Sequence, residues 1–149
     1  MRAAKTTLIH NGHPDETEAA FYEAMQHGDI DKLMACWADE EEIVCVHPGG
    51  TRLVGVAAIR SAFEAMFLHG TIRAHIAHVR RVQTLGTSVH SVLERVDVKT
   101  PEGQAHAYVI ATNVYLKTVQ GWRMVAHHAS PGTQQEMLAH IESLPSVLH

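Results

Sequence analysis

Apolar residues recur every three or four positions in the first half of the chain and every second position in most of the rest. From Asp15, which suits an N-cap, Ala20, Phe21, Ala24 and Met25 form one stripe of a helix that stops at His27-Gly28-Asp29. Asp29 caps a second, shorter helix carrying Ile30, Leu33, Met34 and Trp37 up to the acidic cluster at 39–42. Ile43-Val44-Cys45-Val46-His47 is a β-favouring run closed by the turn Pro48-Gly49-Gly50. After Gly55, the residues Ala58, Ile59, Ala62, Phe63, Met66 and Phe67 mark a third helix over 56–69.

The period then falls to two. Alternation over 71–83, 88–100, 104–118 and 122–129, broken by turns at 85–87, 101–103 and 119–121, predicts four long strands joined as a meander. Met137, Leu138 and Ile141 indicate a terminal helix over 133–144. Helices first and hairpins afterwards predict an α+β fold, a curved antiparallel sheet with the three N-terminal helices packed on its concave face. The division expected is a flexible tail over 1–14, one domain over 15–131 and a C-terminal helix and tail over 132–149.

Composition narrows the partners. A chain of 149 residues, 46% hydrophobic and 19% charged, suits one globular core. A net charge of -4 with no basic stripe disfavours nucleic acid. No apolar run of signal-peptide or membrane-spanning length occurs, so the expected location is cytoplasmic, away from membranes. Cys36 and Cys45 match no zinc-ligand spacing and read as reduced core thiols.

Chemistry concentrates where polar side chains interrupt apolar rows. In the final strand, ending at Pro131, alternation sends His127 and His128 to opposite faces, and the phase from Trp122 and Met124 favours His128 as the inward one. Glu94 shares a face with His90, Val92, Val96 and Val98; it is either a desolvated acid or the partner of Arg80, Arg81 or Arg123. Asn113, on the face of Val109, Ala111 and Tyr115, must brace a neighbouring strand or meet a ligand. His47 stands where a buried strand opens into a loop. Phe21, Tyr22, Trp37, Phe63 and Tyr108 are the aromatic candidates for holding a ligand body. His75 and His78, three apart on a strand, read as facing opposite sides. His47, His90 and His128 would suit zinc or iron only if all three turned inward; with no His-x-His pair on a strand, no metal and no cofactor is expected.

The ordered set of Phe21 to Trp37, Ala38-Asp39-Glu40-Glu41, His47-Pro48-Gly49-Gly50, Gly55 to Phe63 and Gly121 to Ser130 resembles the SnoaL-like, or nuclear transport factor 2-like, superfamily. That superfamily includes ketosteroid isomerases, polyketide cyclases and scytalone dehydratase. The resemblance implies a cone-shaped, cystatin-like α+β roll around a mostly apolar pocket, and homodimers formed through the outer sheet face. It does not imply a reaction.

Carried over from the ketosteroid isomerases, the catalytic aspartate before a proline falls on His47, and the oxyanion-holding tyrosine on Phe21, which lacks the hydroxyl. The protonated aspartate falls on Asn113, whose amide donates without needing a raised pKa. The steroid isomerase constellation is therefore broken. The resulting expectation is a small-molecule pocket protein, a cofactor-independent lyase or isomerase acting on an apolar carbonyl compound. His47, Asn113 and His128 are its catalytic candidates, and Phe21, Tyr22, Trp37, Phe63, His90, Glu94 and Tyr108 its ligand contacts. The alternative is a non-catalytic ligand-binding or oligomerisation domain.

Overall fold

The computed structural model describes residues 12–144. Helix α1 (Pro14–His27) starts two residues before the expected point: His13, not Asp15, is the N-cap, its ring accepting from the Asp15 backbone N–H, and Pro14 takes the first-turn position where no N–H is needed. It ends at Gly28, whose φ of 66° is the left-handed cap glycine adopts without strain. Asp29 caps α2 (Ile30–Ala35), its side chain accepting from the Lys32 N–H. Trp37 lies beyond that short helix and forms a parallel bridge with Met124.

Two short strands, β1 (Val44–Val46) and β2 (Arg52–Val54), form a hairpin before α3 (Val56–Phe67). The long strands β3 (Ala74–Gln83), β4 (Thr87–Thr100), β5 (Gly103–Thr118) and β6 (Gly121–Pro131) follow, then α4 (Gln134–Ser143) with a Thr133/Glu136 capping box. The curved six-stranded sheet runs β2-β1-β6-β5-β4-β3. Every pairing is antiparallel except β1 with β6, which is parallel because the chain passes through α3 and the whole meander before returning beside β1. Strand β2 was not visible in the sequence, since three residues are too few to establish a period.

Helix α1 lies on the inner face of the sheet, where Phe21, Tyr22, Leu33, Trp37, Phe63, Val92, Ala111, Tyr115 and Met124 form the core. No helix among the described residues is long and apolar enough to cross a membrane. Cys36 and Cys45 are free and buried, and burial pushes both thiols up to about 12, so they stay protonated and inert.

Two β-bulges decide which side chains face inward. On β6, Ala126 pairs with Val114 and Met124 with Tyr115, leaving Val125 as an extra residue without a partner on β5. Trp122 and Met124 point in before the bulge; after it the phase is reversed and His127 and Ala129 point in. His128 is therefore exposed on the outer face, which overturns its assignment to the interior. On β3 the extra residue is Ala77, and it brings His75 and His78 to one face instead of two.

Candidate functional site

Glu18, Phe21 and Tyr22 occupy positions i, i+3 and i+4 of α1 and so project together onto the sheet. Opposite them, cross-strand pairing aligns His90 of β4, Asn113 of β5 and His127 of β6 in one row, with Ser88 and Tyr115 one step away along the strands and Glu94 on the other side. All of these polar residues are buried. They satisfy one another, as buried polar groups must.

The Glu18 carboxylate is the hub. Its Oε1 lies 3.0 Å from His90 Nδ1, and its Oε2 accepts from the Tyr115 hydroxyl at 2.7 Å and from Asn113 Nδ2 at 3.1 Å. His90 Nε2 is 2.9 Å from the Ser88 hydroxyl. The second amide hydrogen of Asn113 goes to the Tyr22 oxygen at 3.1 Å, and the Tyr22 hydroxyl donates to Glu94 Oε2 at 2.5 Å. On its far side, Asn113 Oδ1 is 2.6 Å from His127 Nδ1.

Asn113, fully buried, thus has both amide hydrogens committed to protein acceptors and is not free to hold a ligand oxyanion, the role its type suggested. Glu94 is the desolvated acid of the two readings: burial raises its carboxyl to about 7, the Tyr22 hydrogen bond pulls the other way, and the Glu18 charge raises it further. Its hydrogen-bond partner is Tyr22 rather than a strand arginine. His127 is pushed down to about 3 by burial, with His47 and His128 adding in the same direction, and remains a neutral ring.

His47 follows the end of β1, half-buried, its ring edge-on to Phe63 at 5.0 Å and 6.4 Å from the His127 ring. Its Nε2 is 3.8 Å from Cys45 Sγ. Burial lowers its pKa, so it is neutral at pH 7 and competent to accept a proton. Phe21 joins the cluster, 5.2 Å from Tyr22, 6.3 Å from Trp37, 6.1 Å from Phe63 and 5.2 Å from His127. Trp37 Nε1 is enclosed without a hydrogen-bond partner. Tyr108 does not belong here: it precedes the inward-facing Val109 by one residue, so it lies on the outer face, its ring 6.1 Å from that of His140 on α4.

Sequence reasoning missed Glu18, Tyr115, Ser88 and His127. Glu18 had a signal, a carboxylate in helical register with Phe21, Tyr22 and Met25 on an apolar stripe. His127 had one in the His127–His128 pair, of which the wrong member was favoured as inward, because a bulge leaves no mark in the pattern. The three histidines weighed as metal ligands do not converge, since His128 is outside and His90 is bound to Glu18 and Ser88. Asp15, Glu18 and His90 do bring ligand atoms within 4.8 Å of one another. Arg81 already pairs with Asp15 at 2.8 Å, and Glu18 and His90 lie 3.0 Å apart, so each of the three already has a protein partner. Two surface grooves, of ≈ 580 Å³ beside His78, Arg80 and Val89 and of ≈ 500 Å³ beside Ile30, Ser61 and Phe67, are lined by none of the network residues.

A SnoaL-like domain model matches residues 15–134. Among solved structures, a protein provisionally described as a calcium/calmodulin-dependent protein kinase type II association domain, from Thiobacillus denitrificans, is 33% identical, with a TM-score of 0.73 over 80% of this chain and 95% of that one. A provisionally described dehydratase of the NTF2-like family from Streptomyces avermitilis is 28% identical, with a TM-score of 0.69 over 78% and 91%. An uncharacterised protein with a cystatin-like fold from Caulobacter vibrioides shares the fold at 16% identity and a TM-score of 0.68 over 84% and 91%. No curated protein matches the chain.

Proposed function

We propose, for a chain that belongs to the SnoaL-like domain family, that a small, largely apolar molecule enters between α1 and the inner face of β4–β6 and β1 and that His47 moves a proton on it. The observation that carries this reading is a pair of atoms. His127 Nε2 and Glu94 Oε1 have no hydrogen-bond partner among the described residues, although the two residues are only 4% and 5% exposed. Buried polar atoms kept free in this way, beside a shifted carboxyl, are a common property of ligand sites.

Neutral His47 takes a proton from carbon next to a carbonyl, and the electron pair moves toward the carbonyl oxygen. Returning the proton to another carbon isomerises the substrate, and loss of a β-hydroxyl as water dehydrates it. The dehydratase relative supports the second outcome. Proton transfer of this kind needs only side chains. Strands β6 and β5 separate β1 from β4, about three spacings of roughly 4.8 Å along the sheet, so a molecule reaching both His47 and Glu94 has an extended apolar body with polar groups at its ends. Phe21 and Phe63 flank that body.

Turnover of a panel of β-hydroxy carbonyl compounds, followed by the absorbance of the conjugated product, tests the assignment. His47→Ala should lower turnover by about 10²- to 10⁴-fold, the usual contribution of a general base. Unchanged turnover removes His47 from the mechanism, and bound but unconverted ligand seen by native mass spectrometry favours a purely binding role.

A second reading concerns assembly, on account of the 33% identity to the kinase association domain. Val89 and Leu116, each 38% exposed, lie on the outer sheet face and offer an apolar surface for a second copy. Self-association through that face is compatible with an occupied interior.

A further inference from the structure

We infer that Asn113 is a positioning residue that locks His127 in the Nδ1–H tautomer, so that His127 meets the interior ligand only as a hydrogen-bond acceptor and the site selects a molecule bearing a hydroxyl. The inference rests on the reading of the interior as a small-molecule site. It follows from donor and acceptor bookkeeping. Glu18 Oε2 and the Tyr22 oxygen both lie 3.1 Å from Asn113 Nδ2. The Tyr22 proton is directed to Glu94, which leaves the tyrosine oxygen as an acceptor, and Glu18 already receives the Tyr115 hydroxyl on the same oxygen. Both acceptors therefore face the amide nitrogen, and the Asn113 orientation has no alternative: the carbonyl oxygen must be the atom turned to His127.

An amide oxygen only accepts, so His127 Nδ1, 2.6 Å away, must carry the proton. A neutral imidazole has a single N–H, and Nε2 is left as a bare lone pair. That atom has no partner among the described residues, in a side chain 4% exposed and set between the Phe21 and His47 rings. A ligand alcohol donates to it. The matching ketone or ether presents lone pair against lone pair and leaves a buried acceptor unpaired, a penalty of the size that separates polar analogues strongly.

Menthol, menthone and menthyl methyl ether are matched probes with one apolar body. Titrated by calorimetry, the wild-type protein should bind menthol about tenfold more tightly than either of the others. Long-range nitrogen–proton NMR of the imidazoles, with the His127 signal assigned from its loss in His127→Gln, should show Nδ1 protonated and Nε2 bare. Asn113→Ala should release the ring to Nε2–H and abolish the preference for the alcohol. Asn113→Asp, which as the neutral acid still donates to Glu18 and accepts from His127, should preserve both. An Nε2–H signal in the wild type, or menthone bound as tightly as menthol, overturns the inference while leaving a ligand site in place. Failure of all three probes to bind overturns a ligand subsite at His127 and leaves the wider reading to the His47 turnover test, and the NMR result separates this failure from a wrong tautomer.

Discussion

Burial holds the Glu94 carboxyl at about 7 in the folded chain, against 4.5 without it, and the direction fixes a pH dependence. A carboxyl whose folded pKa is raised favours the folded state fully below its unfolded value, about 4.5, and that contribution is lost as pH rises through about 7. Above neutrality the wild type carries the full cost of a buried anion, about 3 kcal/mol. Glu94→Gln, which can still accept from Tyr22, should gain stability relative to wild type as pH is raised from about 4.5 to about 8, by about 3 kcal/mol in urea unfolding. Parallel curves for the two proteins would show that Glu94 is not desolvated. His127 works in the opposite sense: its folded pKa is depressed, so its contribution is present above about 6.5 and lost as pH falls toward about 3. Much of this was visible residue by residue. Glu94 and Asn113 stood out as polar intruders in apolar rows, and His47 as a strand end beside Pro48. Their partners were not visible, because Glu18 and Tyr22 come from a helix more than seventy residues away from Glu94 in sequence.

At the scale of elements, local signals worked where the determinant is local. Gly28-Asp29 ends one helix and caps the next because a left-handed φ and a side-chain cap are properties of those two residues. The hairpins of the meander follow in the same way. Strand parity failed because it is a cooperative property: one unpaired residue at Val125 reverses every side chain after it. Deleting Val125 should join Met124 directly to Ala126 and give an unbroken ladder in which simple alternation still turns Met124, His127 and Ala129 inward and keeps the bond to Asn113. The expected cost stays under about 3 kcal/mol, the scale of a disrupted buried hydrogen-bonded network, and hydrogen-exchange protection in β6 should persist. A deletion variant that lost this protection would mean that Val125 is not the residue that sets the phase.

For the whole molecule, the sheet has one face covered by α1 and another that carries Val89 and Leu116 in the open. If that outer face joins two copies, Val89→Glu and Leu116→Glu should each shift the mass measured by light scattering from dimer or larger to monomer. A wild-type monomer at the same concentration would remove the assembly reading. The chain's own order of periods, 3.6 then 2, determined the α+β class, the helix ends and the meander, because propensity, capping and turn chemistry act over a few residues. The inward identity of His127, the parallel β1–β6 pairing and the convergence of Glu18, Tyr22, Glu94 and Asn113 were decided only in three dimensions. Each depends on contacts between segments far apart in the chain, where desolvation and donor-acceptor matching are settled collectively and no local pattern records the result.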